Sequence, residues 1–308
     1  MVKKALLGQV GDAEIRLLRI FKSVVDCGGL AAAELELNIG RSTVSRHVKD
    51  LEERLGLVLC RRGRAGFALT VDGRRIYDSA MHLLGALDGF RAGVADLHAE
   101  LAGSLPLGIF DKTATNPEAH IGPAIREFRR GAPQVTLDIT VGTLSQIESA
   151  VMDGRLQLGI LPDHRRSDSL DYHELFTETM YLYCGRQHPL FDADHGSLTW
   201  QELQGHDYAG LSFHSPNMEV THQFSLRRQA SGTDQEAIAT LILSGCYTGF
   251  LPDHYAATFV QAGTMRRIEH PQCTYSVQFV VILRHAPEPS RVAQAFLGVL
   301  RAAHGRAA

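Results

Sequence analysis

The chain has 308 residues, 44% of them hydrophobic and 21% charged, with a formal net charge of −3. No run of roughly 18 apolar residues and no signal peptide at Met1 point to a membrane or an export route, so a cytoplasmic protein without a membrane partner is expected. The five cysteines are odd in number, scattered and without a CxxC pair, which argues against a disulfide framework.

Charge is unevenly placed. Residues 1–100 carry a net +2 and residues 101–308 a net −5, while residues 38–75 alone hold nine basic and four acidic side chains. A basic footprint confined to one segment fits a modular DNA reader better than a generic polyanion binder.

The first helix is expected from about Ala13 to Asp26, with Leu17, Phe21, Val24 and Val25 inward and Cys27-Gly28-Gly29 as its stop. A second helix follows from Leu30 to Leu37, and Asn38-Ile39-Gly40 is the turn, with Gly40 giving the backbone freedom to swing the next helix away. In that third helix Val44, Val48, Leu51 and Leu55 share one face, and Ser42, Ser45, Arg46 and Lys49 share the other. The outer face has hydroxyls and cations but no acid, the chemistry that meets phosphates and the acceptor edges of guanine and adenine. Arg41 sits at the helix start, where groove contacts concentrate. Gly56 ends the helix, Leu57 to Leu59 read as a strand, and Arg61, Arg62 and Arg64 form a basic loop before Phe67-Ala68-Leu69. The unit is a winged helix-turn-helix with its wing on phosphates.

At this point the sequence resembles the LysR-type transcriptional regulators. The resemblance rests on Val44-Ser45, then Leu51-Glu52-x-x-Leu55-Gly56-x-x-Leu59-x-x-Arg62, then Leu69-Thr70-x-x-Gly73, in order and at the family's spacing. Glu34, Gly40 and Cys60 depart from the residues usual there, and Arg41-Ser42 replaces the more frequent Gln-Pro or Gln-Ser, so the operator bases cannot be copied from relatives. The resemblance implies a homodimer, commonly paired into a tetramer, that binds double-stranded DNA and acts on RNA polymerase at promoters. It also implies a C-terminal α/β module of two lobes, similar to periplasmic binding proteins, that senses a small effector in its cleft.

From Thr70 one long helix is expected to about Leu101. Ile76, Ala80, Leu83, Leu87, Phe90, Val94 and Leu97 alternate spacings of four and three, the seam of a coiled coil. Pairing with the same helix of a second subunit places two recognition helices about one DNA turn or a multiple apart, so the operator is expected to be an interrupted inverted repeat. The bland alternative is a helix packed on its own domain. The domains are read as 1–70 for DNA binding, 71–103 for dimerisation and 104–308 for the effector, with lobe I about 104–162 and 266–308 and lobe II about 163–265.

Ala102-Gly103-Ser104-Leu105-Pro106 reads as the hinge into alternating strands and helices. Strands are expected at Leu105 to Phe110, Val135 to Val141 and Leu156 to Leu161, with helices opened by Asn116-Pro117-Glu118 and by a capping box Thr143-x-x-Gln146. A second set comprises a strand Asp207 to Leu211, a helix from about Asn217 to Gln229 and a capping box Thr233-x-x-Glu236 with its helix to Ser244. Strand Tyr247 to Leu251, a helix from Pro252 to Ala262 and a strand Tyr275 to Leu283 returning toward the first sheet complete it. These runs imply mainly parallel sheets. An echo ninety positions apart, Gly159-Ile160-Leu161-Pro162-Asp163-His164 and Gly249-Phe250-Leu251-Pro252-Asp253-His254, marks two lobes, each copy ending a buried strand.

Strand ends facing a shared cleft are the usual place for a small ligand. Thr113, Thr115 and Asn116 precede a helix, and Gly142 and Thr143 open the next, so their free N–H groups could receive a carboxylate. Ser212, Phe213 and His214 follow a strand of the second lobe, and Thr248 begins another. These residues point to a small organic acid or polar aromatic, although Asn116 and Thr143 also read as plain helix caps and Glu118 competes for the helix end.

Fifteen histidines include no HxxxH or HxH, which argues against a zinc site, and no GxGxxG, P-loop or Gly-x-Ser-x-Gly is present, so no cofactor is expected. Cys246 beside the cleft reads as buried packing rather than a redox sensor. Two other classes stay open: an enzyme using the cleft, for which no catalytic pair is visible, and a DNA-binding protein whose sensor is degenerate.

Overall fold

The computed structural model describes residues 10–63, 66–96, 101–213 and 215–305. The chain divides into two compact units, Met1–Arg91 and Ala92–Ala308, each with a core of its own.

In the first unit three helices, α1 (Asp12–Asp26), α2 (Leu30–Leu37) and α3 (Arg41–Leu55), precede a hairpin of β1 (Cys60–Gly63) and β2 (Gly66–Leu69) and a long helix α4 (Val71–Asp96). Phe21, Val24, Val44, Val48 and Leu59 are fully buried at their junction, which is what apolar residues at helical spacing on two neighbouring helices produce. Two details differ from the sequence reading. The turn before α3 takes its left-handed residue at Asn38 (φ 52°), while Gly40 has an ordinary φ of −58°; asparagine tolerates that conformation better than most side chains. Residues 57–59 are not a paired strand. Glu52 Oε1 accepts from the N–H groups of Leu59 (2.8 Å) and Cys60 (3.2 Å), so pairing starts only at Cys60 opposite Leu69.

Thr70 starts α4: its hydroxyl donates to the Val58 carbonyl at 2.6 Å and accepts from Gly73 N–H at 2.8 Å. A Cβ on Gly73 would lie 1.9 Å from the Leu59 carbonyl oxygen. Side-chain absence there is therefore what lets α4 lie against the hairpin.

The second unit is built on a nine-stranded mixed sheet. Its first half has β3 (Ala102–Phe110), β4 (Gln134–Gly142) and β5 (Leu158–Pro162), with helices α5 (Ile121–Gly131) and α6 (Leu144–Met152) between them. The chain then enters a 16-residue strand β6 (Leu170–Gly185), absent from the sequence reading. The second half holds α7 (Trp200–Gln204), β7 (Asp207–Leu211), α8 (Pro216–Gln223), β8 (Arg227–Gly232), α9 (Gln235–Leu243), β9 (Thr248–Pro252), α10 (Asp253–Gln261) and β10 (Met265–Arg267). The chain returns through β11 (Thr274–Arg284) and closes with α11 (Arg291–Gly305).

The order β4-β3-β5-β11-β6-β9-β7-β8, with β10 also on β6, makes one sheet of the two expected. Within each half the pairing is parallel, β3 with β4 and β5, β7 with β8 and β9. Strands β6 and β11 join the halves through antiparallel pairing with β9, with β5 and with each other. The expectation of mainly parallel sheets thus holds inside each half only.

Three further segments differ from expectation. Residues 102–106 are not a hinge but the start of β3, with Ala102 opposite Gln134. The helix expected to reach Gln229 stops at Gln223, and β8 follows, parallel to β7. Helix α9 is capped by Asp234, whose side chain accepts from Ala237 N–H at 2.8 Å, rather than by Thr233.

Candidate functional site

Helix α3 presents Arg41, Ser42, Arg46 and Lys49 exposed and Ser45 half-buried, opposite buried Val44, Val48 and Leu51. Arg54 anchors its far end to Asp50 (3.1 Å) and to Glu14 of α1 (2.5 Å), and Lys49 lies 3.7 Å from Glu53 in an exposed pair. The hairpin carries Arg61, exposed, and Arg62 on the same strand; Arg64 lies outside the described residues. A helix held at right register by a buried face, with cations and hydroxyls outward and basic residues on a neighbouring hairpin, can enter a groove and grip phosphates.

Along α4 the expected seam is partly engaged. Ile76 packs on the N-terminal core, Ala80 and Leu84 are buried, Leu83 and Leu87 are half-buried, and Phe90 is 71% exposed. Val94 lies on α4, and Leu97 falls outside the described residues.

In the second unit a cleft with about 320 Å³ of empty space, its mouth included, opens where β3, β5 and β7 end at Phe110, Pro162 and Leu211. Its apolar walls include Leu144, Met180, Phe213 and Val277, and its polar ones Glu178, Ser215, Asn217, Gln235 and Tyr275. Strand β6 and β11 supply Glu178, Tyr275 and Val277. No local sequence signal marks these three for the cleft, because their place depends on long-range strand pairing.

The hydroxyls expected to meet the ligand are instead occupied within the protein. Thr113, 1% exposed, donates to the Phe110 carbonyl at 2.5 Å. Thr115 Oγ1 donates to the Lys112 carbonyl (2.9 Å) and lies 2.8 Å from His254 Nδ1. Asn116 caps Glu118 N–H at 2.9 Å, and its amide lies 3.4 Å from Glu178 Oε1. Thr143 caps Gln146, Gly142 ends β4, and Thr248 lies at the amino end of β9, away from Pro252. Ser212 is exposed after β7, and His214 falls outside the described residues. The cleft lining therefore differs from the expected wall, since helix caps and turn bonds absorb these side chains.

Electrostatics at the cleft are acidic. Burial pushes the Asp111 carboxyl up to about 6, with the negative charges of Asp234 and Glu178 acting in the same direction against Gln235 N–H and Lys112. Asp111 accepts from Gln235 N–H at 2.8 Å. Lys112 is held by Glu236 and lies 4.7 Å from the Tyr255 ring. Cys246, expected to be buried, is exposed after α9, near the amino end of β9.

A winged helix-turn-helix followed by a long helix and by an α/β sheet with a cleft at its strand ends defines a ligand-responsive DNA-binding regulator. Comparison with known proteins agrees. The model of the LysR substrate binding domain matches residues 98–305, and that of the bacterial regulatory helix-turn-helix protein, lysR family, matches residues 15–74. The chain is 42% identical over 291 residues to the HTH-type transcriptional activator BauR of Pseudomonas aeruginosa, spanning 94% of this chain and 95% of that one. It is 28% identical over 244 residues to the probable HTH-type transcriptional regulator LrrA of Synechococcus elongatus, spanning 77% and 80%. The fold is similar to the crystal structure of CbnR, a LysR family transcriptional regulator, with TM-score 0.66 at 20% identity over 94% of this chain and 99% of that one. The chain belongs to the LysR family: it is a DNA-binding transcriptional regulator with a C-terminal effector-binding domain.

Proposed function

We propose that the protein binds an interrupted inverted repeat in double-stranded DNA as a homodimer joined through α4, that two dimers pair into a tetramer, and that a small effector in the cleft changes how they sit on DNA. The observation that carries this reading is the α3 face, where Arg41, Ser42, Arg46 and Lys49 are exposed above buried Val44, Val48 and Leu51. Ser45 joins the base-reading set, and Arg61, Arg62 and Arg64 hold phosphates. Phe90, exposed on α4, supports a second subunit's helix as its cover. An effector that prefers one arrangement of the two halves shifts the population of one DNA-bound geometry.

The cleft binds and does not turn over its ligand. The 42% identical relative is named a transcriptional activator, which supports RNA polymerase as the partner at the promoter and the cytoplasm as the place of action. Thr113, Thr115 and Thr143 act by shaping the loops around the cleft. Light scattering of the full chain with a nuclease footprint on DNA from its own genomic neighbourhood tests the proposal. Two protected half-sites and a mass of two or four subunits are expected; a single subunit protecting no defined site would contradict it.

A further inference from the structure

The unsatisfied chemistry of the cleft narrows what it takes, on the reading that the cleft is the effector site. Glu178 lines it at 6% exposure and is its only charged lining residue among the described ones. Two neighbours, His254 Nε2 at 2.7 Å and Asn116 Nδ2 at 3.4 Å, both meet Oε1. Gln235, 3% exposed and lining the same cleft, has a buried side-chain oxygen with no hydrogen-bond partner. A buried orphan acceptor of this kind is rare in folded proteins and asks for a donor.

The remaining polar walls are already satisfied. Asn217 Oδ1 accepts from Leu211 N–H (3.0 Å) and lies 3.2 Å from the Tyr208 hydroxyl, and its Nδ2 donates to the hydroxyls of Tyr208 (3.0 Å) and Tyr275 (3.2 Å). Ser215 caps α8 and donates to the Phe213 carbonyl. The Tyr275 phenol, held protonated by burial, remains as a donor. A carboxylate would therefore meet one hydroxyl and the charge of Glu178, with no lysine, arginine or histidine among the described lining residues.

We propose that the cleft takes a small amine-bearing molecule, whose ammonium donates to the Glu178 carboxylate and the Gln235 side-chain oxygen while its carbon chain lies on Phe110, Met180 and Val277. An ammonium brings three donors and a positive charge to two acceptors, one of them anionic. Burial raises the Asp111 carboxyl beside the cleft, and the charges of Asp234 and Glu178 act in the same direction. This assignment replaces the organic acid expected from helix N-termini, whose caps are filled by Asn116 and Thr143.

The test uses the full-length chain, calorimetric titration and thermal unfolding, with n-butylamine and sodium butyrate as probes of matched length at equal ionic strength. The amine should bind at least tenfold more tightly than butyrate and raise the midpoint of unfolding. Gln235→Leu and Glu178→Gln should each weaken it fivefold or more, with circular dichroism checking the fold. Gln235→Glu, which adds a second carboxylate, should tighten amine binding and guards against a variant that misfolds. Butyrate binding as tightly as the amine, no binding of either probe, or amine binding indifferent to all three substitutions would overturn the proposal. Operator binding of the same samples without probe is a separate arm: its loss alone sinks the regulator reading, whereas its retention with no amine preference sinks only this inference.

Discussion

His254 Nε2 lies 2.7 Å from Glu178 Oε1, and both side chains are 7% exposed. The other ring nitrogen lies 2.8 Å from Thr115 Oγ1, so one imidazole at the start of α10 ties the loop after β3 to the joining strand β6. In the echo of this segment the contact is looser: His164, with a 7% exposed side chain, lies 3.6 Å from the 64% exposed side chain of Glu219 of α8. Both copies of Leu-Pro-Asp-His thus end a strand and bring a histidine near a carboxylate. The echo is structural before it is functional.

Removing His254 leaves Glu178 Oε1 with only the longer contact to Asn116, and losing a hydrogen bond to a buried carboxylate costs about 1–3 kcal/mol. His254→Ala should therefore lower the stability of the effector domain by about 1–3 kcal/mol, measured by urea unfolding. A change under about 0.5 kcal/mol, the usual scatter of surface substitutions, would deny the contact its role.

In the DNA-binding unit, Glu52 Oε1 accepts from the N–H groups of Leu59 and Cys60 where the hairpin begins. Glu52→Ala should destabilise that unit by about 1–3 kcal/mol, and Glu52→Gln, which keeps an acceptor oxygen, by less. Thermal unfolding of the full chain, followed through protection of the hairpin amides, separates the two. Equal loss in both variants would show that charge rather than acceptance matters.

Asp111 sets a pH dependence. Its carboxyl is raised from 3.8 to about 6, so the unfolded chain releases this proton at lower pH than the folded one. The group's contribution to stability is full below about pH 4 and is lost as pH rises through about 6. Asp111→Asn keeps an oxygen for Gln235 N–H and should stabilise the protein at pH 7 by about 1–3 kcal/mol, an advantage that fades toward pH 4. Denaturant unfolding at both pH values checks it; a variant less stable at pH 7 would reverse the sign.

Local signals made the DNA-binding unit legible. Helical spacing gave α1 to α3 and α4, and the reasons behind Glu52, Thr70 and Gly73 became visible only when the hairpin and α4 were seen to converge on Leu59. The joining strand β6 was missed because Asp171, His173, Glu174, Thr177 and Glu178 interrupt its apolar run, and its pairing partners lie about a hundred positions away in β11. Strand β8 was hidden by Arg227, Arg228 and Gln229, a polar edge that reads as the end of a helix. Helix α11 has no counterpart among the sequence expectations, although Phe296 packs on Phe128 of α5 with ring centroids 5.3 Å apart. The cleft followed these omissions: its walls come from β6 and β11 as much as from the helix starts that local capping signals reveal.

The measurement that tests the central claim most directly is fluorescence anisotropy of the full chain on its upstream duplex and on a scrambled duplex, across a salt series, for the parent, Arg46→Ala and Arg62→Ala. Arg46→Ala should lose about 1–3 kcal/mol on the specific duplex and little on the scrambled one, whereas Arg62→Ala should weaken both about equally and reduce the salt slope by about one. Equal affinity of the parent for both duplexes, or indifference of both to Arg46→Ala, would contradict a recognition helix at α3.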